Sequence, residues 1–451
     1  MGDELSDLFA MVTDAVGSWE RGWRPYEAHQ ASAARGVDEA LHALTGRLRD
    51  NYPFFHPDYA GQMLKPPHPV AAAGYLAAML VNPNNHALEG GPATAELERE
   101  VMQELAAMFH MTEPTLGHLT SGGTMANLEA LFVARELHPS KAIAFSEAAH
   151  YTHSRMAHLL GLEARSVPTD AHGRIDVEAL ERELGSGDIG TVVLTAGTTG
   201  IGALDPIDEV LALRGRFDFR VHVDAAYGGF FAVLAWGDEP RVEPGPFRAI
   251  AECDSVVVDP HKHGLQPYGC GAVLFGDPSV GRFYAHDSPY TYFSPGDLHL
   301  GEISLECSRA GAAAAALWAT LRVFPLTADG LGSVLAAGRR AALDWAGRIA
   351  RSDALDLLHE PELDIVTFFP AASRSASDVE RRSRRLLEDL ARAPDPVYLS
   401  LLRASTGEVR AGRPDIVEDQ PAVHVLRSVL MKPEHELVVG ALHERVAAAA
   451  R

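Results

Sequence analysis

Lysine is seldom placed in a protein interior. Yet Lys262 comes directly after an apolar run, in Ser255-Val256-Val257-Val258-Asp259-Pro260-His261-Lys262. Desolvation and nearby cations lower a lysine pKa, and such an amine suits Schiff-base chemistry. A lysine snorkelling to the surface is the plainer reading, weaker here than for most lysines. A second candidate is Asp224, at the end of the run Val221-His222-Val223-Asp224 and followed by Ala225-Ala226-Tyr227-Gly228. A carboxylate at the carboxyl end of a strand is placed to pair with a ring N–H⁺. An Asp that merely caps the next helix is an equally good account on its own. The third is the turn Ser121-Gly122-Gly123-Thr124, ahead of a helical run over 125–136. Glycines let backbone amides approach an anion, a helix N-terminus adds positive dipole, and Thr124 adds a hydroxyl, which together make a phosphate cradle. Its glycines match neither a Walker loop nor a dinucleotide fingerprint, and alone an ordinary N-cap would explain it. His150, in Glu147-Ala148-Ala149-His150-Tyr151, is the fourth. A lone histidine is usually structural; in this company it can stack on a cofactor ring.

These groups need a frame to hold them. From about 75 to 325 short apolar runs alternate with helical ones. Strands are expected over 142–145, 191–196, 220–224, 255–258 and 271–275. Most lack alternation, as expected where helices cover both faces of a parallel sheet. That is a doubly wound α/β architecture. Beyond 325, helical stretches over 334–349 and 375–391 mix with strand-like runs over 365–369, 397–402 and 423–431, and a last helix starts near 434. The pattern reads as a smaller α+β domain. Residues 1–75 read as helices and an irregular arm, with Asn51-Tyr52-Pro53-Phe54-Phe55-His56-Pro57 and then Pro66-Pro67-His68-Pro69. Such an arm has too little apolar pattern to fold alone and is expected to pack on the main body or on another subunit. The division is therefore 1–75, 76–325 and 326–451.

Composition narrows the class. Apolar residues make up 47% and charged residues 22%, ordinary for a globular chain and wrong for a disordered one. A net charge of −22 disfavours nucleic acid or an anionic membrane as partner. The three cysteines, Cys253, Cys270 and Cys307, form no CxxC pair or His/Cys cluster, so no metal site is expected and a reducing, cytoplasmic setting fits best. The acidic start Met1-Gly2-Asp3-Glu4 does not look like a signal peptide. The longest apolar stretches, 70–81 and 310–321, are too short to span a bilayer and read as buried helices.

The order of these features (cradle, His, strand-end Asp, Lys on a later strand) carries a resemblance. The chain resembles the group II pyridoxal-phosphate-dependent amino-acid decarboxylases, relatives of glutamate and aromatic-L-amino-acid decarboxylases. The specific motifs are Asp259-Pro260-His261-Lys262 with His222-Val223-Asp224-Ala225-Ala226-Tyr227. Thr195-Ala196-Gly197-Thr198-Thr199-Gly200 agrees, as does Gly91-Pro92-Ala93-Thr94-Ala95-Glu96-Leu97-Glu98, which looks like the family's SPAxTELE segment. The resemblance runs from about 50 to 435. It implies fold type I, aspartate-aminotransferase-like, with a mostly parallel seven-stranded sheet and a smaller C-terminal α+β domain. It also implies pyridoxal 5′-phosphate as cofactor.

The resemblance also implies roles. Lys262 would form the Schiff base with the cofactor, and Asp224 would keep the pyridine nitrogen protonated. His150 and Ala226 would lie on the two faces of the ring. Gly122, Gly123 and Thr124 would hold the phosphate with His261 nearby, and Thr198 would lie close to the ring. A tyrosine on a loop after the lysine strand would supply a proton to Cα; Tyr290 and Tyr292 both fit, and the sequence does not choose between them. Arg427 lies in an apolar strand, where a buried arginine needs an anion partner; the resemblance makes that partner a substrate carboxylate, and a structural ion pair is the plainer account. Gln62 matches a position near the substrate in glutamate decarboxylases.

The function expected is therefore decarboxylation of an L-amino acid to an amine and CO₂. Aminotransfer, a lyase step or aldehyde formation would use the same cofactor and fold. Retention of His150 and of loop tyrosines favours simple decarboxylation over aldehyde formation. A PLP-binding protein without catalysis, or a nucleotide-binding module, is the reading of another class; an intact Lys, Asp and His set argues against the former. Fold type I sites usually lie at a dimer interface, so a homodimer is expected. The substrate side chain is not readable.

Overall fold

The computed structural model describes residues 2–24, 36–112, 115–284 and 304–451. Four helices precede the sheet: α1 (Gly2–Arg21), α2 (Val37–Leu48), α3 (Pro69–Val81) and α4 (Pro92–Met108). α3 and α4 both open on proline, whose fixed φ and missing N–H suit the first helical position. α3 runs straight through position 75, so a division there would cut a helix.

The large sheet has seven strands in the order β1-β7-β6-β5-β4-β2-β3. They are β1 (Leu116–Thr120), β2 (Ala142–Ser146), β3 (Ala164–Val167), β4 (Ile189–Thr195), β5 (Arg220–Asp224), β6 (Ser255–Val258) and β7 (Gly271–Phe275). Pairings among β2 to β6 are parallel; β7 runs antiparallel to both β1 and β6. Every residue of β2, β4, β6 and β7 is buried, the signature of a sheet covered on both faces. The cover comes from α4, α5 (Gly123–Leu137) and α6 (Thr152–Leu160), with α7 (Val177–Leu184), α8 (Ile207–Ala212) and α9 (Pro244–Ala249) packed into the same core, while α10 (Gly311–Val323) lies against α3 and α4. The 220–224, 255–258 and 271–275 strands fall where the sequence puts them. β1 and β3 were not expected. β1 carries a glycine and a buried His118, whose ring meets Glu129 at 2.8 Å, and β3 is a partly exposed edge.

Helix α11 (Leu331–Ala350) leads to a second, four-stranded sheet of order β10-β11-β9-β8. Its strands are β8 (Leu355–His359), β9 (Ile365–Pro370), β10 (Ser400–Ser405) and β11 (Ala422–Val429), all antiparallel. α12 (Ala376–Arg392), α13 (Thr406–Gly412) and α14 (His435–Ala450) complete it. Ser375 caps α12, and Ser405 with Glu408 forms a capping box on α13. Trp345 of α11 is fully buried and packs on Phe368 of β9 at 5.5 Å between rings.

The arm packs on the main body. Ala60 N–H donates to Tyr398 O at 2.9 Å, Tyr398 N–H to Asp58 O at 2.9 Å, and Val429 N–H to Ala60 O at 2.8 Å. Tyr52, Phe54, Tyr59 and Tyr398 form an aromatic cluster above this seam. Residues 58–60 thus act as an extra strand-like edge of the small domain. No helix among the described residues is long and apolar enough to cross a membrane.

Candidate active site

The carboxyl ends of β4, β5 and β6 and the N-terminus of α5 converge on one cavity of about 370 Å³. That volume lies within the roughly 300–1,000 Å³ of small-molecule sites. Asp224 ends β5 and stands on the wall. Its Oδ1 accepts from Ala226 N at 3.1 Å and its Oδ2 from His153 Nε2 at 2.9 Å. Burial pushes this carboxyl up. The bond from His153, the charges of His153 and Lys262 and the Ala226 amide outweigh that and hold it well below the usual carboxylate range.

Lys262 sits in the turn after β6, on the same wall. The turn is fixed by Lys262 N–H to Asp259 O at 2.9 Å and His261 N–H to Cys270 O at 3.1 Å. Lys262 Nζ lies 3.1 Å from Asp259 Oδ2. Its ion-pair partner is thus a carboxylate. Asp259 in turn explains Gly123: a Cβ there would stand 2.7 Å from Asp259 Oδ2. Gly122 has φ +150°, a backbone open to glycine, and a Cβ on it would meet His261.

The cradle has the expected form. Gly123 and Thr124 open α5, where no earlier carbonyl serves their amides. Ser121 N–H, beside them, donates to Glu306 Oε2 at 2.8 Å. A buried relay anchors the turn to the sheet: Asn127 Nδ2 donates to Gly123 O at 2.8 Å, while Asn127 Oδ1 meets His222 Nε2 at 2.9 Å and His222 Nδ1 meets Ser255 Oγ at 2.9 Å. Burial, with the charges of neighbouring groups, pushes His222 down to about 3.

His150 lines the cavity, its Nδ1 2.7 Å from Thr152 Oγ1, and burial pushes its pKa down. Ala226 and His261 line it too. Thr198 does not. Its hydroxyl turns inward to accept from Ala203 N at 3.0 Å, and its neighbours Gly197 and Thr199 face the cavity instead. Arg427 and Gln62 are also off the wall. Arg427, on β11, is buried, but its partners are not an anion: Nε donates to Gly200 O at 2.9 Å and Nη2 to Thr199 O at 2.7 Å. It braces the Thr199–Gly200 loop from behind. Gln62 is exposed at the arm's junction with the small domain. Tyr290 and Tyr292 lie outside the described residues.

Sequence reasoning missed four wall or support residues: His153, Thr199, Tyr227 and Asp205. Tyr227 OH donates to Asp364 Oδ1 at 2.6 Å, joining the wall to the small domain. Asp205 accepts from Ile175 N and Thr195 N, both at 2.7 Å, and so shapes the loop after β4; burial pushes it up to about 7. His153 carried the one available signal, since it lies only three residues after His150.

These residues suit a ligand with an aldehyde, an aromatic ring nitrogen and a phosphate. They offer a primary amine, an ionised carboxylate and a helix N-terminus in one cavity. Two buried polar atoms there, Asp259 Oδ1 and His261 Nδ1, have no partner among the described residues.

Residues 56–370 match the model of the pyridoxal-dependent decarboxylase conserved domain. The chain belongs to the pyridoxal-dependent decarboxylase family. It is accordingly a carboxy-lyase of amino acids that depends on pyridoxal phosphate. This decarboxylase is 30% identical to an L-tyrosine decarboxylase of Enterococcus faecium, over 67% of this chain and 66% of that one. It is 35% identical to a probable L-aspartate decarboxylase of Halobacterium salinarum, over 58% of this chain and 69% of that one. In fold it is similar to Oryza sativa TDC with PLP and tryptamine, with a TM-score of 0.79, 18% identity and coverage of 99% and 98%. Mouse CSAD follows with a TM-score of 0.76, 22% identity and coverage of 94% and 93%. The decarboxylase fold is thus the type I fold expected, down to the seven-stranded large sheet.

Proposed function

We propose that this decarboxylase removes the α-carboxylate of an L-amino acid as CO₂, with Lys262 as the amine that holds the cofactor. The observation that carries this is the meeting of Lys262, Asp224, His150 and the Gly122–Thr124 turn in one cavity. When bound, the cofactor supplies the electron sink for the pair left on Cα. The chain's residues do the rest. Lys262 presents its amine to the cofactor aldehyde. Asp224, kept ionised, accepts the ring N–H. Gly123 and Thr124 amides hold the phosphate, and His150 and Ala226 flank the ring. Arg427 acts on the substrate side by bracing Thr199 and Gly200.

The substrate is an amino acid of the kind the relatives' names carry, tyrosine or aspartate. Two further points belong to this reading. The working unit is a homodimer. The setting is reducing and cytoplasmic, which suits three free thiols, two of them buried.

The test is a mass-spectrometric screen of PLP-loaded protein against pooled natural amino acids, with Lys262→Ala alongside. One amine that disappears in the variant is the expected result and names the substrate. A keto acid or an aldehyde with peroxide, and no amine, would overturn decarboxylation while keeping the cofactor site.

A further inference from the structure

Asp224 is a buried carboxylate on the cavity wall whose two oxygens are both engaged by the chain. One donor is the Ala226 amide two residues on. The other comes from a different element. His153, in the first turn of α6, is 0% exposed and its Nε2 lies 2.9 Å from Asp224 Oδ2. The other ring nitrogen, Nδ1, is buried with no partner among the described residues. Nε2 carries a hydrogen, because it faces an ionised carboxylate. Phe145 of β2 lies beside the ring, with centroids 5.9 Å apart, so the imidazole has little freedom to turn.

His150, three residues earlier and just before α6 begins, stands on the cavity wall. The two histidines come from one short stretch, His150 from the lead-in to α6 and His153 from its first turn. One looks into the cavity and the other stands behind the carboxylate. We propose that His153 is a positioning residue for the cofactor: by fixing Asp224 Oδ2 through Nε2–H, it aims the ionised carboxylate at the cofactor's ring nitrogen. This rests on the reading above that Asp224 accepts from that nitrogen. It adds a residue that touches neither cofactor nor substrate.

Other groups near Asp224 act differently. Lys262 and Asp259 come from the turn after β6, His150 from the segment just before α6 and His222 from β5. None of them donates a hydrogen bond to Asp224. Lys262 pairs with Asp259, and His222 is spent on Asn127 and Ser255. His153 is therefore the side chain whose loss frees Oδ2. A hydrogen bond to a charged group is worth enough that its removal costs about tenfold or more in an equilibrium that needs it.

The experiment titrates apo-protein with pyridoxal phosphate and follows visible absorbance and its pH profile, in wild type, His153→Leu, His153→Gln and Asp224→Asn. Leu keeps apolar volume and removes the donor; Gln places an amide N–H near the same point. The expected result is a Kd for the cofactor about tenfold weaker in the Leu variant. Its absorbance should also titrate at a pH displaced from wild type, and Gln should restore both. If Leu prevents folding, seen by circular dichroism, His153→Asn replaces it, polar but too short to reach Oδ2. Cofactor Kd and pH profile unchanged in the donor-less variant, with Asp224→Asn altered, would overturn the proposal and leave the role of Asp224 standing. Wild type and Asp224→Asn behaving alike would instead remove the reading on which it rests.

Discussion

Several buried histidines of this decarboxylase are kept neutral, and each makes the fold sensitive to acid in a way that can be isolated. His435 is the cleanest case. It is fully buried at the start of α14; Nε2 donates to Pro57 O at 3.0 Å and Nδ1 accepts from Lys432 N at 3.2 Å. Burial first, and the Lys432 charge second, push it down to about 3. An unfolded histidine titrates near 6.5. Between about 3 and 6.5 the unfolded chain therefore binds the extra proton. The contribution of His435 to stability is complete above pH 6.5 and is lost as pH falls. Buried Asp205 and Asp364, raised to about 7 and about 6, act with the opposite sign, so the wild-type profile alone would blur the effect. A difference measurement removes them. His435→Gln should be less stable than wild type by about 1–3 kcal/mol at pH 8. In urea unfolding at pH 5 the gap should shrink by roughly 2 kcal/mol, because only wild type still carries the penalty. A gap independent of pH would mean that His435 titrates alike in both states. At this scale the sequence was informative where a residue type was out of place. Lys262 and Asp224 at strand ends, and a buried Arg427, stood out. Their partners did not: Arg427 is met by carbonyls, which carry no side-chain signature. Thr198 and Thr199 exchange roles because a turn, unlike a strand, has no fixed period to say which side faces the cavity.

Among elements, the strands legible in the sequence are the ones buried on both faces, whose apolar runs are continuous. β1 was hidden for the opposite reason. Its His118 is buried by pairing with Glu129, and pairing across 11 residues leaves no local pattern. The same principle governs α4. The SPAxTELE-like segment was read as a family marker; the structure gives its last residue a structural task. Glu98 is fully buried and accepts from Asn85 Nδ2 at 2.8 Å, Leu119 N at 2.9 Å and Arg309 Nη1 at 2.5 Å. Arg309 also donates to Leu119 O at 2.9 Å and Asn85 O at 2.8 Å. One ion pair thus joins α4, β1, the segment before α4 and the entry to α10. Removing one member of a buried pair is far costlier than its net worth. Glu98→Ala should lower unfolding free energy by about 3–5 kcal/mol, read from the denaturant midpoint. The double variant with Arg309→Ala should lose less than the sum of the two single losses, because the second change relieves the stranded charge. Strict additivity would show that the two side chains do not work as a unit.

For the molecule as a whole, the unsettled surface is α2. The arm expected to need a partner is divided in its contacts. Residues 58–60 are bound to the chain's own small domain, and α1 packs on α3. α2 buries no residue, and Val37, Leu41, Leu44 and Leu48 are 47%, 54%, 52% and 55% exposed. Their spacing of four, three and four puts them on one face, the pattern of a helix made to cover something. In a two-fold dimer each copy contributes the same stripe, so covering it counts twice. At roughly 25 cal/mol per Å² the half-exposed leucines alone are worth about 1 kcal/mol each. The opposing term is repulsion between two chains of net charge −22. That repulsion is screened over about 8 Å at physiological ionic strength, whereas apolar contact is not weakened by salt. Analytical ultracentrifugation should therefore find a dimer that tightens as sodium chloride is raised. Leu41→Lys with Leu44→Lys should shift it toward monomer without altering the circular dichroism spectrum. A double variant that stays as tightly dimeric as wild type would place the interface elsewhere and leave the α2 stripe to another partner.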